Sequence, residues 1–131
     1  MTDIASFAQR YADAWCSQKP ASVSAFYSEK GSLRVNDGPR AVGRKAIAEV
    51  ARRFMIALPD MRVALDMITA EGERTVFHWT LTGTNTGPGA TGKAVRIRGH
   101  ESWRFDAEGL IAESLGHFDS DEYERQLAHG V

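Results

Sequence analysis

The chain has a single cysteine, Cys16, among its 131 residues. No intrachain disulfide can form, which fits a reducing compartment. No apolar run approaches the ~20 residues of a membrane-spanning helix. Neither sign of charge is in excess, and the formal net charge is −1. That balance gives no global reason to expect nucleic acid or a membrane as partner. The opening stretch, MTDIASFAQRYADAW, has no basic leading region and no continuous apolar core, so no signal peptide is expected. A cytoplasmic location is the default expectation.

Catalytic signatures are scarce too. There is no HExxH, and the four histidines, His78, His100, His117 and His129, lack ligand spacing, so no metal is expected. No GxSxG nucleophile elbow occurs. The stretch Thr84 to Gly92, TNTGPGATG, has the composition of a phosphate loop. It lacks the Gly-x-x-x-x-Gly-Lys-Ser/Thr pattern and does not join a strand to a helix, which excludes that role. Cys16, next to Trp15 on a helix, reads as a small buried residue rather than a nucleophile. No organic cofactor is expected.

What is present suits one soluble domain over residues 1–131, with 43% hydrophobic and 25% charged residues. Ile4, Phe7, Ala8, Tyr11 and Trp15 fall at helical spacing and predict a helix from about Asp3 to Ser17, capped by Asp3 or Thr2. Pro20 suits the first turn of a short second helix, with Val23, Phe26 and Tyr27 inward. Gly31 closes that unit, and Leu33 to Val35 reads as a short strand. Asn36-Asp37-Gly38-Pro39 is a turn. A third helix spans Arg44 to Ala57, with Ile47, Val50, Ala51, Phe54 and Leu58 as its stripe. Strands follow at Met61 to Thr69 (Val63, Leu65 and Met67 on one face), Arg74 to Gly83, Lys93 to Phe105 and Leu110 to Phe118. Asp119 and Glu122 form a capping box for a last helix through about Leu127. Helices first and an antiparallel four-strand meander afterwards argue an α+β domain.

The most informative stretch is Lys93 to Phe105, KAVRIRGHESWRF, which alternates at period two. Val95, Ile97, Gly99, Glu101, Trp103 and Phe105 form one row. Ala94, Arg96, Arg98, His100, Ser102 and Arg104 form the other. A carboxylate, Glu101, thus stands in the apolar row, where it needs a partner or a proton. Two readings are open. A bulge at Gly99 would flip the register and return Glu101 to water. A regular strand would leave a functional acid in a pocket.

The order of pieces resembles the nuclear transport factor 2-like superfamily, in its SnoaL-like polyketide cyclase and ketosteroid-isomerase-like branch. The resemblance rests on Gln9-Arg10-Tyr11, Gly43-Arg44-Lys45-Ala46-Ile47, Leu58-Pro59-Asp60-Met61, Gly83-Thr84-Asn85-Thr86-Gly87 and Thr91-Gly92-Lys93. Trp103-Arg104-Phe105 with Gly109-Leu110-Ile111, and Asp119 with Arg125-Gln126-Leu127, complete it. It implies a cone-shaped cystatin-like roll, with three N-terminal helices packed on a curved antiparallel sheet. From the isomerase pattern, Tyr11 matches the tyrosine that donates to the substrate oxygen. Glu101 matches the position of a protonated aspartic acid. Asp37 lies near the general base, although in such turns an Asp often bonds only its own backbone. From the cyclase pattern, the candidates are Asp119 with His100 or His117. Asp119 reads rather as a helix cap, and His117 equally as a satisfied core histidine. The Gly-Thr-His segment reads Gly83-Thr84-Asn85 here. Gly116 stands where the epoxide-hydrolase branch needs an acid, which disfavours that chemistry.

The expectation is then a cofactor-free acid–base enzyme acting on a hydrophobic carbonyl compound, with Trp15, Phe26, Phe54, Trp79 and Trp103 lining its pocket. A non-catalytic binding or dimerisation module of the same fold is the alternative. An unpaired acid in an open pocket favours the first; a filled pocket or a salt-bridged Glu101 favours the second. The basic row Arg96, Arg98, Arg104 faces away from that pocket. It predicts a homodimer packed sheet against sheet, with arginines pairing to acids such as Asp66 or Glu73. The absence of aromatics between those arginines argues against nucleic acid there.

Overall fold

A computed structural model describes residues 3–87 and 89–131. Thr2, the alternative cap of the first helix, and Pro88 of the Gly- and Thr-rich loop lie outside the described residues. Helix α1 spans Ile4–Cys16, with Phe7, Tyr11 and Trp15 buried along one stripe and the Asp3 carboxylate accepting from Ala5 N at 3.1 Å. Helix α2 is short, Pro20–Ser24, and begins on its proline.

That helix stops before Tyr27, which opens strand β1, Tyr27–Val35. The strand is longer than the expected Leu33 to Val35, and Gly31 lies inside it rather than ending the unit. An added Cβ at Gly31 would lie 2.8 Å from the Ile111 carbonyl oxygen. Glycine therefore lets β1 close on strand β6, Ile111–Phe118, where the pairing shifts register between Tyr27 and Ser32. Strand β2, Arg40–Val42, follows the Asn36–Pro39 turn and was not legible in the pattern. Helix α3 occupies Arg44–Ala57 as expected.

Strands β3 (Arg62–Glu71), β4 (Arg74–Thr84), β5 (Ala94–Phe105) and β6 run antiparallel in sequence order. Strand β1 adds to β6 in parallel, and β2 sits on the edge, giving a curved six-stranded sheet in the order β2-β1-β6-β5-β4-β3. The fold is α+β, with two more strands than the meander and with its helices spread along the chain. Two strands separate α2 from α3, and α4 (Ser120–His129) closes the described chain. Asp119 caps α4 through Glu122 N at 3.0 Å, while the Glu122 carboxylate turns to Arg125 and Gln126 instead of completing the box. Among the described residues no helix is long and apolar enough to cross a membrane.

Two registers decide what faces the helices. In β3 the pairing slips between Leu65 and Met67, so Ile68 opposes Phe77 while Met67 opposes His78 and is 55% exposed. The slip overturns the simple alternation that placed Met67 beside Val63 and Leu65. In β5 the pairing to β4 is unbroken from Ala94 to Trp103. There is no bulge at Gly99, and Glu101 keeps the side of Val95, Ile97 and Trp103. Gly99 serves a different need: it lies opposite Trp79, whose ring occupies the space a Cβ would fill. On the outer face, Arg96, Arg98 and Arg104 are exposed. The ion pairs of that face run from Arg40 and Arg74 to Glu113, each at 2.9 Å, while Asp66 accepts from Thr80 Oγ1 at 2.6 Å.

Candidate functional site

Glu101 is 7% exposed and takes four donors on one oxygen. Its Oε1 accepts from Ser114 Oγ at 2.7 Å, Tyr11 Oη at 2.9 Å, Trp103 Nε1 at 3.0 Å and, at the limit, Tyr27 Oη at 3.5 Å. Tyr11 and Tyr27 also bond each other, oxygen to oxygen at 2.7 Å. Four elements supply this cluster. The stripe of α1 delivers Tyr11, the opening of β1 delivers Tyr27, and β6 delivers Ser114. Strand β5 delivers Glu101 and, two residues on and on the same face, Trp103. Aromatic packing holds the donors: Trp103 stacks on Phe77 at 5.0 Å between centroids and meets Tyr11 edge-on at 5.1 Å.

Burial pushes the Glu101 carboxyl above the usual carboxylate range, against the pull of its four hydrogen bonds. Burial first, then the nearby Glu101 charge, pushes both tyrosines well above their ordinary value, so both stay protonated and available as donors. Because the donors crowd Oε1, the proton of the neutral acid belongs on Oε2. A neutral Glu101 then presents an O–H from an apolar wall, as a hydrogen-bond donor and a proton source.

That wall encloses a cavity of about 50 Å³ between the helices and the concave face of the sheet. Trp15, Phe54, Phe77, Trp79, Phe118 and Tyr123 supply its aromatic lining, and among the described residues Glu101 is its one carboxylate. Gly116, opposite Glu101 on β6, leaves room beside the carboxyl group. A larger cleft of about 590 Å³ lies between α3, the β1–β2 turn and α4, and shares Leu33, Val35, Phe54 and Tyr123 with the inner cavity. These four residues form a wall common to the cleft and the cavity.

The candidate residues divide accordingly. Tyr11 and Glu101 come together, but Tyr11 is fully buried behind the acid and does not line the cavity. Trp15, Phe54 and Trp79 line it. Trp103 backs Glu101, and Phe26 packs against Phe7 and Tyr11 away from the cavity. Asp37 is fully exposed in its turn, 3.9 Å from Arg34, and lines neither cavity. Asp119 caps α4. His100 and His117 lie on the outer face, in register with each other and with His78, ring centroids 5.1 and 6.0 Å apart. No three side chains of metal-binding type converge among the described residues. Tyr27 and Ser114 belong to the cluster but are not among the candidate site residues of the sequence, although Tyr27 is read there as inward-facing. Pairing of β6 with β5 would have disclosed Ser114, and the early stop of α2 would have disclosed Tyr27.

No curated protein sequence matches the chain. Many solved structures share its fold, the following three among them. A hypothetical protein with a ketosteroid isomerase-like fold from Catenulispora acidiphila DSM 44928, in complex with trimethylamine, is 16% identical. It has a TM-score of 0.79 over 92% of this chain and 91% of that one. A candidate SnoaL-like polyketide cyclase from Jannaschia sp. CCS1 is 16% identical, with a TM-score of 0.82 over 97% and 92%. An NTF2-like protein of unknown function from Burkholderia pseudomallei K96243 is 21% identical, with a TM-score of 0.80 over 97% and 98%. At such identities these likenesses show the fold and leave the reaction to the site. The model of the SnoaL-like domain matches residues 8–114, which hold Tyr11, Tyr27, Glu101 and Ser114, and the chain belongs to that family.

Proposed function

We propose that the protein is a cofactor-free acid–base enzyme of the isomerase or cyclase type, acting on a hydrophobic carbonyl compound. One observation carries the reading. A carboxyl group without a basic partner is buried in an aromatic cavity, and its donors hold one oxygen while the other is left free. In this scheme Glu101 Oε2–H passes its proton to the ligand carbonyl oxygen while a solvent water reaching the cavity takes the α-proton, so the enol forms and the negative charge is left on the Glu101 carboxylate. Tyr11, Ser114 and Trp103 stabilise that charge on Oε1, and Tyr27 holds Tyr11 in place. General acid catalysis of this kind contributes about 10²–10⁴-fold. Asp37 has no part in the scheme because it stands in solvent.

The test is exchange of ketone α-hydrogens for deuterium in D₂O, followed by NMR with a bicyclic ketone such as 2-tetralone. Wild type is expected to accelerate exchange, and Glu101→Gln to lose at least tenfold of that acceleration. A ligand that binds without exchange would favour the second reading, a binding module. That reading has its own support, since among the described residues no second carboxylate or histidine accompanies Glu101 in the cavity to act as a base.

A further inference from the structure

The cleft of about 590 Å³ between α3, the β1–β2 turn and α4 takes no part in the chemistry at Glu101. The spacing along α3 builds one of its walls. Ala46, Val50, Arg53 and Ala57 line it and recur at three- and four-residue steps, so they share one face of the helix. Val35 of β1 and Leu127 of α4 line it from the other sides. Val35, Val50, Ala57 and Leu127 pack on the core and stay only partly buried, which leaves the cleft an apolar surface. Its volume falls within the range of about 300–1,000 Å³ typical of small-molecule sites. Among the described residues three charged side chains line it, Arg40, Glu49 and Arg53. Two are engaged within the chain, Arg40 with Glu113 at 2.9 Å and Glu49 with Arg52 at 3.0 Å. Arg53 enters no ion pair among the described residues.

We propose that this cleft binds a small amphiphile with a carboxylate at one end of an apolar body, and that Arg53 selects the carboxylate. As the body fills the cleft it displaces water from around the guanidinium, and a cation stripped of water needs a charged acceptor. A carboxylate meets the guanidinium fork with two parallel hydrogen bonds. An alcohol of the same shape offers one neutral acceptor, and an ammonium ion is repelled. The lining thus supplies affinity without preference, and the free arginine supplies the preference. The inference needs neither the inner cavity nor turnover.

The test compares 2-naphthylacetate with 2-naphthylethanol, which share ring and chain length and differ in the end group. Calorimetric titration of the whole chain at neutral pH and low salt is expected to show the acid binding about fivefold more tightly, between the worth of an exposed ion pair and that of a buried charged hydrogen bond. Added salt should narrow the gap. Arg53→Gln should remove the acid's advantage and leave the alcohol's affinity unchanged. Lys45→Gln, exposed on the same helix and outside the lining, is the control and should keep the advantage. In ¹⁵N-labelled protein the amide signals of Val50, Arg53 and Leu127 should shift with the acid more than that of Trp103, which backs Glu101. Equal affinity for acid and alcohol, no binding of the acid, an advantage that survives Arg53→Gln, an equal loss of both ligands in that variant, or shifts centred on Trp103 overturns the proposal. The wild-type titrations and the amide shifts decide it even if Arg53→Gln fails to fold. Acid-selective binding beside a failed ketone exchange would sink the enzymatic reading and keep this one. Exchange without acid selectivity would do the reverse.

Discussion

Glu101 shows how one residue can be both a cost and a tool. Its folded pKa lies above its ordinary value of about 4.5 because burial disfavours the charge. The native state therefore keeps a proton that the unfolded chain releases. That contribution to stability is full below the ordinary pKa and is lost as pH rises toward the raised folded value. Glu101→Gln keeps an oxygen for the donors and never ionises. It is expected to denature later than wild type in urea at pH 8 and at nearly the same point at pH 4. A constant gap across that range would refute the burial argument. Glu101→Ala leaves Ser114, Trp103 and one of the two tyrosine hydroxyls without an acceptor and is expected to cost on the order of 3 kcal/mol at any pH. Alternation puts Glu101 in the apolar row, but only the pairing of β5 shows that the strand keeps that register past Gly99. The place of Tyr11 was legible from the helical stripe. Their mutual bond was not, since it spans 90 residues and depends on how the layers pack.

At the scale of the element, β5 is set by Gly99. Sequence could show the glycine but not its reason, because a bulge and a close approach leave the same mark. The structure resolves this in favour of the Trp79 ring and the His117 carbonyl oxygen, the latter only 2.5 Å from where a Cβ would sit. Gly99→Ala is expected to destabilise the fold by about 2–3 kcal/mol through overpacking. Gly116→Ala is the contrast, because its Cβ would find nothing closer than 3.5 Å. It should fold within about 1 kcal/mol of wild type while crowding Glu101 Cγ at 3.7 Å. Chemical denaturation of the pair checks both, and equal losses would count against the assigned contacts. Strand β3 was misread for a reason of its own. A slip at Asp66 leaves the composition unchanged but sends Met67 outward.

For the whole molecule, the helices and the concave face account for the cavity, and we propose that the outer face of the sheet meets a second copy of the chain. Two copies are expected to pack through that face, giving a mass of twice 14.4 kDa in light scattering at micromolar concentration. A monomer mass would remove this expectation. The row His78, His100, His117 crosses that face. Burial, then His117, then His78 lower the pKa of His100 below its ordinary 6.5. The folded chain thus resists a proton that the unfolded chain accepts, and stability is expected to fall as pH drops through 6.5, levelling off below the folded value. His100→Gln should flatten that descent in thermal scans between pH 7.5 and 5. Finally, the Tyr27–Tyr11–Glu101 chain joins β1, α1 and β5, whose residues stand 16, 74 and 90 positions apart. Such distant closures come late in folding. Until they close, Glu101 is in water and ionised at neutral pH. Refolding between its ordinary and its raised pKa must therefore draw one proton from the medium as the last layers dock. A pH indicator in weakly buffered stopped-flow would register that uptake as the moment the site comes into being.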